Sequence, residues 1–231
     1  MFTINWSIEV LIFGKSVMII NHKKPGLKIR RKQVGPWELN AYVLVCSETR
    51  KSVLVDPGAE PDALDRLLTK TEPGAIMLTH THSDHIGALA EMRKRLKVPL
   101  MAHSGPHADI MSLDADRWLT HGDRVKVGNH QISVYHTPGH TPDQICLMNE
   151  DYHFAVVGDT IFDGGPGKTW SVKGFQETLK TLRNILLSWS DETVCYPGHG
   201  PSFCLGDKRK AIEAFLNKDH GSFFGDATWD M

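Results

Sequence analysis

Residues 80–85 of this 231-residue chain read His-Thr-His-Ser-Asp-His, which places three imidazoles and one carboxylate in six consecutive positions. Imidazole nitrogens and carboxylate oxygens are the donors that zinc, iron and manganese bind in proteins. Crowded neutral imidazoles gain little from one another unless a cation binds them. The chemistry that this segment indicates is therefore metal-ion binding.

Three further residues of the same chemical types follow strand-like segments. His140 and His199 each come after a Pro-Gly turn, and each turn follows an apolar, strand-like run. Asp159 comes directly after the apolar run 154–158. Together with the first cluster they make seven candidate metal ligands, which are His80, His82, Asp84, His85, His140, Asp159 and His199.

Seven ligands are too many for a single zinc ion, because a catalytic zinc usually takes three protein ligands and a water. They suit two ions that share a carboxylate, and Asp159 is the natural bridge because its two oxygens can bind different ions. Two ions roughly 3.5–4 Å apart can hold a hydroxide between them. The sequence therefore predicts two divalent cofactor ions, zinc in the first place, with iron or manganese as alternatives.

Regular elements are predicted on both sides of these residues. In the first half they are strands at 40–46 and 52–55, a helix at 61–68, a strand at 75–78, a helix over about 85–96, a strand at 98–102 and a short helix near 106–112. In the second half they are strands at 124–127, 131–136, 144–148, 153–157 and 193–196, and helices at 174–188 and 207–218. The candidate ligands fall at the ends of strands, where α/β folds place their chemistry.

This order of elements is typical of the α/β class. It predicts a four-layer αβ/βα sandwich, in which two mixed β-sheets stack face to face and helices cover the outer faces. We expect residues 26–231 to form a single domain. Residues 1–25 are expected to be an N-terminal extension that adds a strand or is loosely ordered.

Composition limits the classes of partner. A net charge of −1 and a pI near 6.9 give no indication of nucleic-acid or membrane binding, so a small-molecule substrate is expected. The four cysteines form no CxxC pair, and Cys46, Cys146 and Cys195 fall in apolar strands, so we expect buried free thiols. With no signal-peptide pattern and no apolar span, a cytoplasmic location is expected. No feature indicates an oligomeric state.

The motifs resemble those of the metallo-β-lactamase superfamily over roughly residues 27–206. The resemblance rests on the His-x-His-x-Asp-His run, on His140, Asp159 and His199, and on the Asp-Pro-Gly at 56–58. It implies that the first metal is bound by His80, His82 and His140. The second would be bound by Asp84, His85 and His199, with Asp159 bridging. Asp56 would either orient a ligand or complete a turn.

Within that superfamily, aspartate rather than cysteine at position 159 resembles the glyoxalase II-like, hydroxyacylglutathione hydrolase branch. The segment at 158–170 is similar to the one in which a basic and an aromatic residue contact the glutathione part of the substrate, and Lys168 and Trp170 hold those positions. The segment after His199 is too short for the helical, glutathione-clamping domain of that branch. Six other histidines are assigned to surface or packing roles: His103, His107, His121, His130, His136 and His153.

The resemblance implies a dinuclear metal-dependent hydrolase. A metal-bridging hydroxide would attack a substrate carbonyl, with Asp84 and Asp159 as the catalytic carboxylates. A thioester of the hydroxyacyl-glutathione kind is the expected substrate, or a related ester or lactone. One alternative is a persulfide-dioxygenase-like enzyme with a single iron on His80, His140 and Asp159. Two further alternatives are a β-lactam hydrolase and a non-catalytic metal-binding protein.

Overall fold

The first of two β-sheets is built from the N-terminal half of the chain. A computed structural model describes residues 18–20 and 26–231. Within them this sheet has seven strands that neighbour one another in chain order: β1 (Met18–Ile20), β2 (Leu27–Val34), β3 (Leu39–Cys46), β4 (Lys51–Val55), β5 (Glu72–Met77), β6 (Leu100–His103) and β7 (Arg117–Leu119). Strands β1–β4 pair antiparallel and β4–β7 pair parallel, so the sheet is mixed.

The second sheet is built from the C-terminal half. In the described part of the chain its six strands are β8 (Arg124–Val127), β9 (His130–His136), β10 (Ile145–Asn149), β11 (Phe154–Gly158), β12 (Val194–Pro197) and β13 (Phe203–Cys204). Their spatial order is β13-β12-β11-β10-β9-β8, and only β11 and β12 pair parallel. The two sheets are therefore both mixed, as predicted.

Side-chain alternation along the central strands places the two sheets face to face. On β3, Tyr42 and Leu44 belong to the core between the sheets, while Ala41 and Val43 belong to a second core under the helices. Because successive side chains of a strand point to opposite faces, one run of apolar residues serves both layers.

Five α-helices occur in residues 26–231: α1 (Pro61–Leu67), α2 (Ser83–Ile86), α3 (Leu89–Leu96), α4 (Val172–Asn184) and α5 (Leu205–Leu216), and a 3₁₀ turn follows at Leu186–Ser188. Apolar residues of α1 and α3 pack on the first sheet, and those of α4 and α5 pack on the second. The predicted four-layer αβ/βα sandwich is confirmed.

Two predicted helices differ from the structure. The short helix near 106–112 is wrong: this segment is irregular, and none of its residues is buried, so it has no packed face to stabilise a helix. Its backbone is held instead by side chains, since the amide of Ala108 donates to Oγ1 of Thr81 at 2.8 Å. The helix predicted over 85–96 is broken between α2 and α3 at Gly87 and Ala88.

The predictions for the cysteines are confirmed, and those for the N-terminal extension fall largely outside the described residues. Cys46, Cys146 and Cys195 are buried free thiols, as predicted. Strand β1 lies inside the predicted extension 1–25 and pairs with β2, whereas residues 1–17 and 21–25 fall outside the described part of the chain. No helix within the described residues is long and apolar enough to cross a membrane.

Two pairs of parallel strands determine where the candidate ligands lie. Strands β4 and β5 are adjacent and parallel in the first sheet, and β11 and β12 are adjacent and parallel in the second. Parallel neighbours end at the same edge of a sheet, so the loops that follow these four strands collect at one end of the sandwich. Those loops carry Asp56, the 80–85 run, Asp159 and His199.

Candidate metal centre

A first group of three histidines brings together residues from both sheets. Nδ1 of His82 lies 3.0 Å from Nε2 of His80 and 2.9 Å from Nε2 of His140. Two nitrogens bound to one zinc at tetrahedral angles are separated by roughly 3.3–3.4 Å, given Zn–N bonds of about 2.0–2.1 Å. These two nitrogen–nitrogen distances are therefore within a few tenths of an ångström of the distance expected between two ligands of one zinc ion.

A second group lies next to the first. Nε2 of His199 is 3.1 Å from Oδ2 of Asp84, and one ligand atom from each of Asp84, His85 and His199 falls within 4.8 Å of the others. His85 is fully buried, whereas Asp84 and His199 are about a quarter exposed. This group therefore forms the side of the centre that opens toward solvent.

Asp159 lies between the two groups. Its Oδ1 is 3.4 Å from Nε2 of His85, and its Oδ2 is 3.6 Å from Nε2 of His140 and 3.7 Å from Nε2 of His199. One carboxylate thus faces ligands of both groups. The structure brings all seven sequence-predicted ligands together at one end of the sandwich.

Four of the five histidines are held by the ring nitrogen that points away from the centre. His80 Nδ1 lies 3.1 Å from Oγ1 of Thr79, and His85 Nδ1 lies 3.0 Å from Oδ2 of Asp56. Backbone carbonyls accept from the other two, Lys168 O from His140 at 2.7 Å and Trp37 O from His199 at 2.9 Å. Such partners fix the tautomer and the ring orientation, so that the inner nitrogen offers its lone pair.

The local backbone explains the Pro-Gly-His sequence before His199. A Cβ atom on Gly198 would lie 2.1 Å from Oδ1 of Asp159 and 2.7 Å from Cε1 of His85. Its amide donates to the carbonyl of Gly158 at 2.8 Å, which ties the end of β12 to the end of β11. Glycine is therefore required at this position so that the backbone can approach the carboxylate of Asp159.

The electrostatics of the side chains favour a neutral imidazole at His80 and a charged pair formed by His85 and Asp159. Burial, reinforced by His85 and His140, holds the pKa of His80 well below its ordinary value. Burial alone would lower the pKa of His85, but Asp159 and Asp56 outweigh it and raise that pKa to about 10. Burial likewise opposes the charge of Asp159, yet His85 brings its pKa down to about 2.

Two buried polar atoms show that the donor set fits metal ions. Nε2 of His85 and Oδ1 of Asp159 are both buried without a hydrogen-bond partner, although they lie only 3.4 Å apart. Buried polar groups are nearly always paired, so an orphaned imidazole nitrogen beside an orphaned carboxylate oxygen calls for a cation. The nitrogen and oxygen donors suit zinc, iron or manganese.

The predicted substrate residues lie at the rim of the centre. The ring of Trp170 is 61% exposed and stands edge-on to His82, with centroids 6.3 Å apart. Nζ of Lys168 lies 4.9 Å from the Trp170 ring centroid and 3.2 Å from Oδ2 of Asp226. The loop that carries them is bonded to the C-terminal segment, since Thr169 donates its amide to Gly225 at 3.0 Å.

Trp37 was missed by the sequence analysis. Its carbonyl holds His199, its side chain is 73% exposed, and it lines a cavity of about 240 Å³ together with Asp84, Leu39 and the backbone of 58–59. The only sequence signal was a tryptophan after Gly35-Pro36 in a hairpin turn. An exposed aromatic residue beside a ligand group is the kind of residue that binds a substrate's apolar part.

Sequence comparisons identify proteins similar to this chain. Residues 34–199 match the sequence profile of the family described as "Metallo-beta-lactamase superfamily". The probable metallo-hydrolase YqgX of Bacillus subtilis is 31% identical over 194 residues, which cover 76% of this chain and 91% of YqgX. The hydroxyacylglutathione hydrolase GloC of Haemophilus influenzae is 27% identical over 194 residues, covering 75% of this chain and 91% of GloC.

Solved structures show the same fold. BLEG-1, a B3 metallo-beta-lactamase, is 28% identical with a TM-score of 0.72, and the match covers 82% of this chain and 100% of the BLEG-1 chain. TTHA1623, solved in a di-iron-bound form, is 31% identical with a TM-score of 0.65, covering 78% and 96%. ETHE1 from Myxococcus xanthus is 25% identical with a TM-score of 0.70, covering 83% and 85%.

Proposed function

The chain belongs to the metallo-beta-lactamase superfamily, and from that premise we propose that it is a dinuclear metal-dependent hydrolase acting on a thioester or a related ester or lactone. Membership gives the fold and a metal-binding site. The residues of the site and the relatives of the chain support the proposed number of ions and kind of substrate.

The position of Asp159 carries the proposal. Its Oδ1 faces His85 of the second group, and its Oδ2 faces both His140 of the first group and His199 of the second. A carboxylate in that position can bridge two ions, and each group then supplies three further ligands. The di-iron form of TTHA1623, a protein of the same fold, supports two ions here.

In the proposed reaction the metal ions, Asp84 and two tryptophans have distinct roles. Two divalent ions in these groups would lower the pKa of a bound water toward about 7 and polarise a substrate carbonyl. Asp84 is partly exposed and lies beside His199, so as a ligand of the second ion it would also be placed to orient the attacking water and to accept its proton. Trp170 lies beside His82 of the first group, and Trp37 lines a cavity with Asp84 of the second, so both would contact a substrate bound at the centre.

A thioester is preferred because of what surrounds the centre. GloC, a relative over most of its length, is a hydroxyacylglutathione hydrolase. Lys168 and Trp170 add a cation and an exposed aromatic face beside His82, which suits a substrate with an anionic, extended carrier group.

The test is metal content per chain combined with a substrate panel of thioesters, lactones, other esters and β-lactams. Protein purified without chelator is expected to hold two equivalents of zinc, iron or manganese and to hydrolyse thioesters fastest. Chelation should abolish the activity and metal should restore it. Two bound ions with β-lactams hydrolysed fastest would overturn the thioester assignment, a result for which the similarity to BLEG-1 provides a reason.

A single-iron, persulfide-dioxygenase-like enzyme is the second candidate. His140 Nε2 lies 3.6 Å from Oδ2 of Asp159, and the His80 and His140 rings are 5.1 Å apart, so the three residues of such a site are close together. This candidate assigns no role to the remaining four ligand residues. One iron per chain with oxygen uptake would support it. Absence of metal binding and of turnover after reconstitution would favour a non-catalytic role.

A further inference from the structure

A second cluster of metal-ligating side chains lies at the opposite end of the sandwich. It consists of Cys46 at the end of β3, Glu48 in the following turn and His130 at the start of β9, and we call it the Cys46 cluster. One ligand atom from each residue lies within 4.8 Å of the other two. Within the described residues this convergence occurs in the candidate metal centre and at this one other place.

Strand β9 separates the two places. His130 begins this strand and His136 ends it, just before the turn that carries His140. Seven residues in extended conformation span roughly 20 Å at about 3.3 Å per residue. The Cys46 cluster is therefore independent of the ligands at the other end.

Two of its interatomic distances are close to those of ligands around one tetrahedral ion. Sγ of Cys46 is 3.1 Å from Oε2 of Glu48, and Nε2 of His130 is 3.4 Å from the same oxygen. Bonds of about 2.3 Å to sulfur and about 2.0–2.1 Å to nitrogen and oxygen, at tetrahedral angles, separate such donors by roughly 3.3–3.6 Å. Shifts of a few tenths of an ångström would place the pairs at these separations.

The two turns that carry the cluster are packed tightly against each other. Gly128 has a φ of +59°, and a Cβ there would lie 2.6 Å from Sγ of Cys46 and 2.3 Å from Oγ1 of Thr49. Glycine at this position lets the β8–β9 turn approach the β3–β4 turn, which places His130 beside Glu48. Side-chain exposure increases from the buried Cys46 through His130, at 13%, to Glu48, at 37%. A cation can thus reach the thiol past the carboxylate.

We propose that Cys46, Glu48 and His130 form a separate mononuclear site for a thiophilic divalent cation of the zinc class. Thiolate, imidazole and carboxylate are all zinc ligands, and three of them leave the fourth position for water. On binding, the cation replaces the thiol proton, which is released to solvent. Because Cys46 ends β3 of the first sheet, Glu48 lies in the turn after it and His130 begins β9 of the second sheet, the ion would link the two sheets at this end.

Cobalt(II) titration of the metal-free, full-length protein tests the site without reference to enzymatic activity. All seven ligands of the candidate metal centre are nitrogen or oxygen donors, so thiolate-to-cobalt charge-transfer absorption in the near ultraviolet reports the Cys46 cluster alone. The wild-type protein is expected to show this band and Cys46→Ser to lack it. Cys204→Ser, which changes a thiol elsewhere, is the matched control and should retain the band.

Substitutions of Glu48 and His130, which are more exposed than Cys46, test the proposal if Cys46→Ser fails to fold. Changing a residue that merely orients a ligand costs about 10–100-fold in metal affinity. Loss of a direct ligand in Glu48→Gln or His130→Gln should therefore lower the cobalt affinity, measured from this band, at least roughly 100-fold. Visible cobalt bands from the other centre without a near-ultraviolet band in the wild type would overturn the proposal. A band that persists in Cys46→Ser, or unchanged affinity in both other variants, would overturn it as well.

Discussion

Oδ2 of Asp56 lies 3.0 Å from Nδ1 of His85, and the two side chains are almost completely buried. The same carboxylate accepts from the amide of Thr79 at 2.8 Å and from its hydroxyl at 2.7 Å. Asp56 therefore connects a turn after β4 to the ligand cluster after β5. Of the two roles considered for Asp56 from sequence, this geometry favours the orientation of a ligand.

Replacing Asp56 by asparagine is expected to weaken metal binding without removing a ligand. With the remaining oxygen toward His85, that hydrogen bond keeps an acceptor but loses its charge, so the imidazole becomes a weaker donor to a cation. The new amide nitrogen cannot accept from the amide of Thr79 as Oδ1 does. We expect a fall of about 10–100-fold in affinity for the ion bound by His85. Chelator competition measures this affinity, and Asp151→Asn in an exposed turn is the control. Wild-type affinity in Asp56→Asn would show that Asp56 only completes its turn.

Removal of the Asp159 carboxylate, the proposed bridge, should have the largest effect on the proposed reaction. Asp159→Ala takes an oxygen away from both ligand groups, so metal content should fall and turnover should be abolished. Elemental analysis and hydrolysis rates measure the two effects. Asp163→Ala, which removes a half-exposed carboxylate paired with Lys208, should leave both close to wild type. Retained activity in Asp159→Ala would contradict the bridging assignment.

The metal-free protein should lose stability as the pH rises. The pKa of His85 is raised from 6.5 to about 10, since burial is outweighed by Asp159 and Asp56. A raised pKa in the folded state means that the charged imidazole stabilises the metal-free fold fully below pH 6.5, and that this contribution disappears as the pH approaches about 10. Urea unfolding of metal-free protein across this range measures the loss, which should be reduced in His85→Gln.

The same protonation predicts proton release during metal binding. At neutral pH the metal-free His85 carries a proton on each ring nitrogen, and a cation must displace the one on Nε2. Calorimetric titrations in buffers of different ionisation enthalpy should therefore report about one released proton attributable to His85. Proton release that is the same in wild type and His85→Gln would contradict this assignment.

We expect Lys168 to strengthen the binding of anionic substrates. Exposed ion pairs contribute about 0.2–1 kcal/mol, so Lys168→Met should raise KM for an anionic thioester roughly 1.4- to 5-fold and leave kcat nearly unchanged. Asp226→Asn removes the present partner of Lys168 and should lower that KM by a similar factor. Lys173→Met, an exposed lysine of α4, is the control, and a neutral thioester should not respond to any of the three substitutions.

Much of the fold could be predicted because its strands are buried on both faces. The apolar runs at 40–46 and 153–157 lie close to β3 and β11, since each must fill a core on both sides of its sheet. The segment 106–112 could not be predicted in this way. Its Pro, Asp and apolar residues are compatible with a short helix, and only the absence of a surface to pack against decides the outcome.

The candidate ligands were identified because metal-binding residue types cluster in sequence and recur after Pro-Gly turns. The contacts that orient them were mostly invisible, because a backbone carbonyl such as Trp37 O has no residue-type signature. The pairing of Lys168 with Asp226 likewise joins residues far apart in the chain. His130, assigned to surface or packing from sequence, lies beside Cys46 only because two turns from different sheets meet.

The division of the ligands between the two sheets sets an order of events during synthesis. His80, His82, Asp84 and His85 follow a strand of the first sheet, and these residues leave the ribosome well before His140, Asp159 and His199. Chains are made N-terminus first at about 5–20 residues per second, so a nascent chain exposes half a metal site for several seconds. All seven candidate ligands can come together only after β12 has been made and docked. An ion that binds early would be held by the ligands of residues 80–85 alone. Nascent chains stalled at increasing lengths should therefore retain metal more strongly once the second sheet has docked.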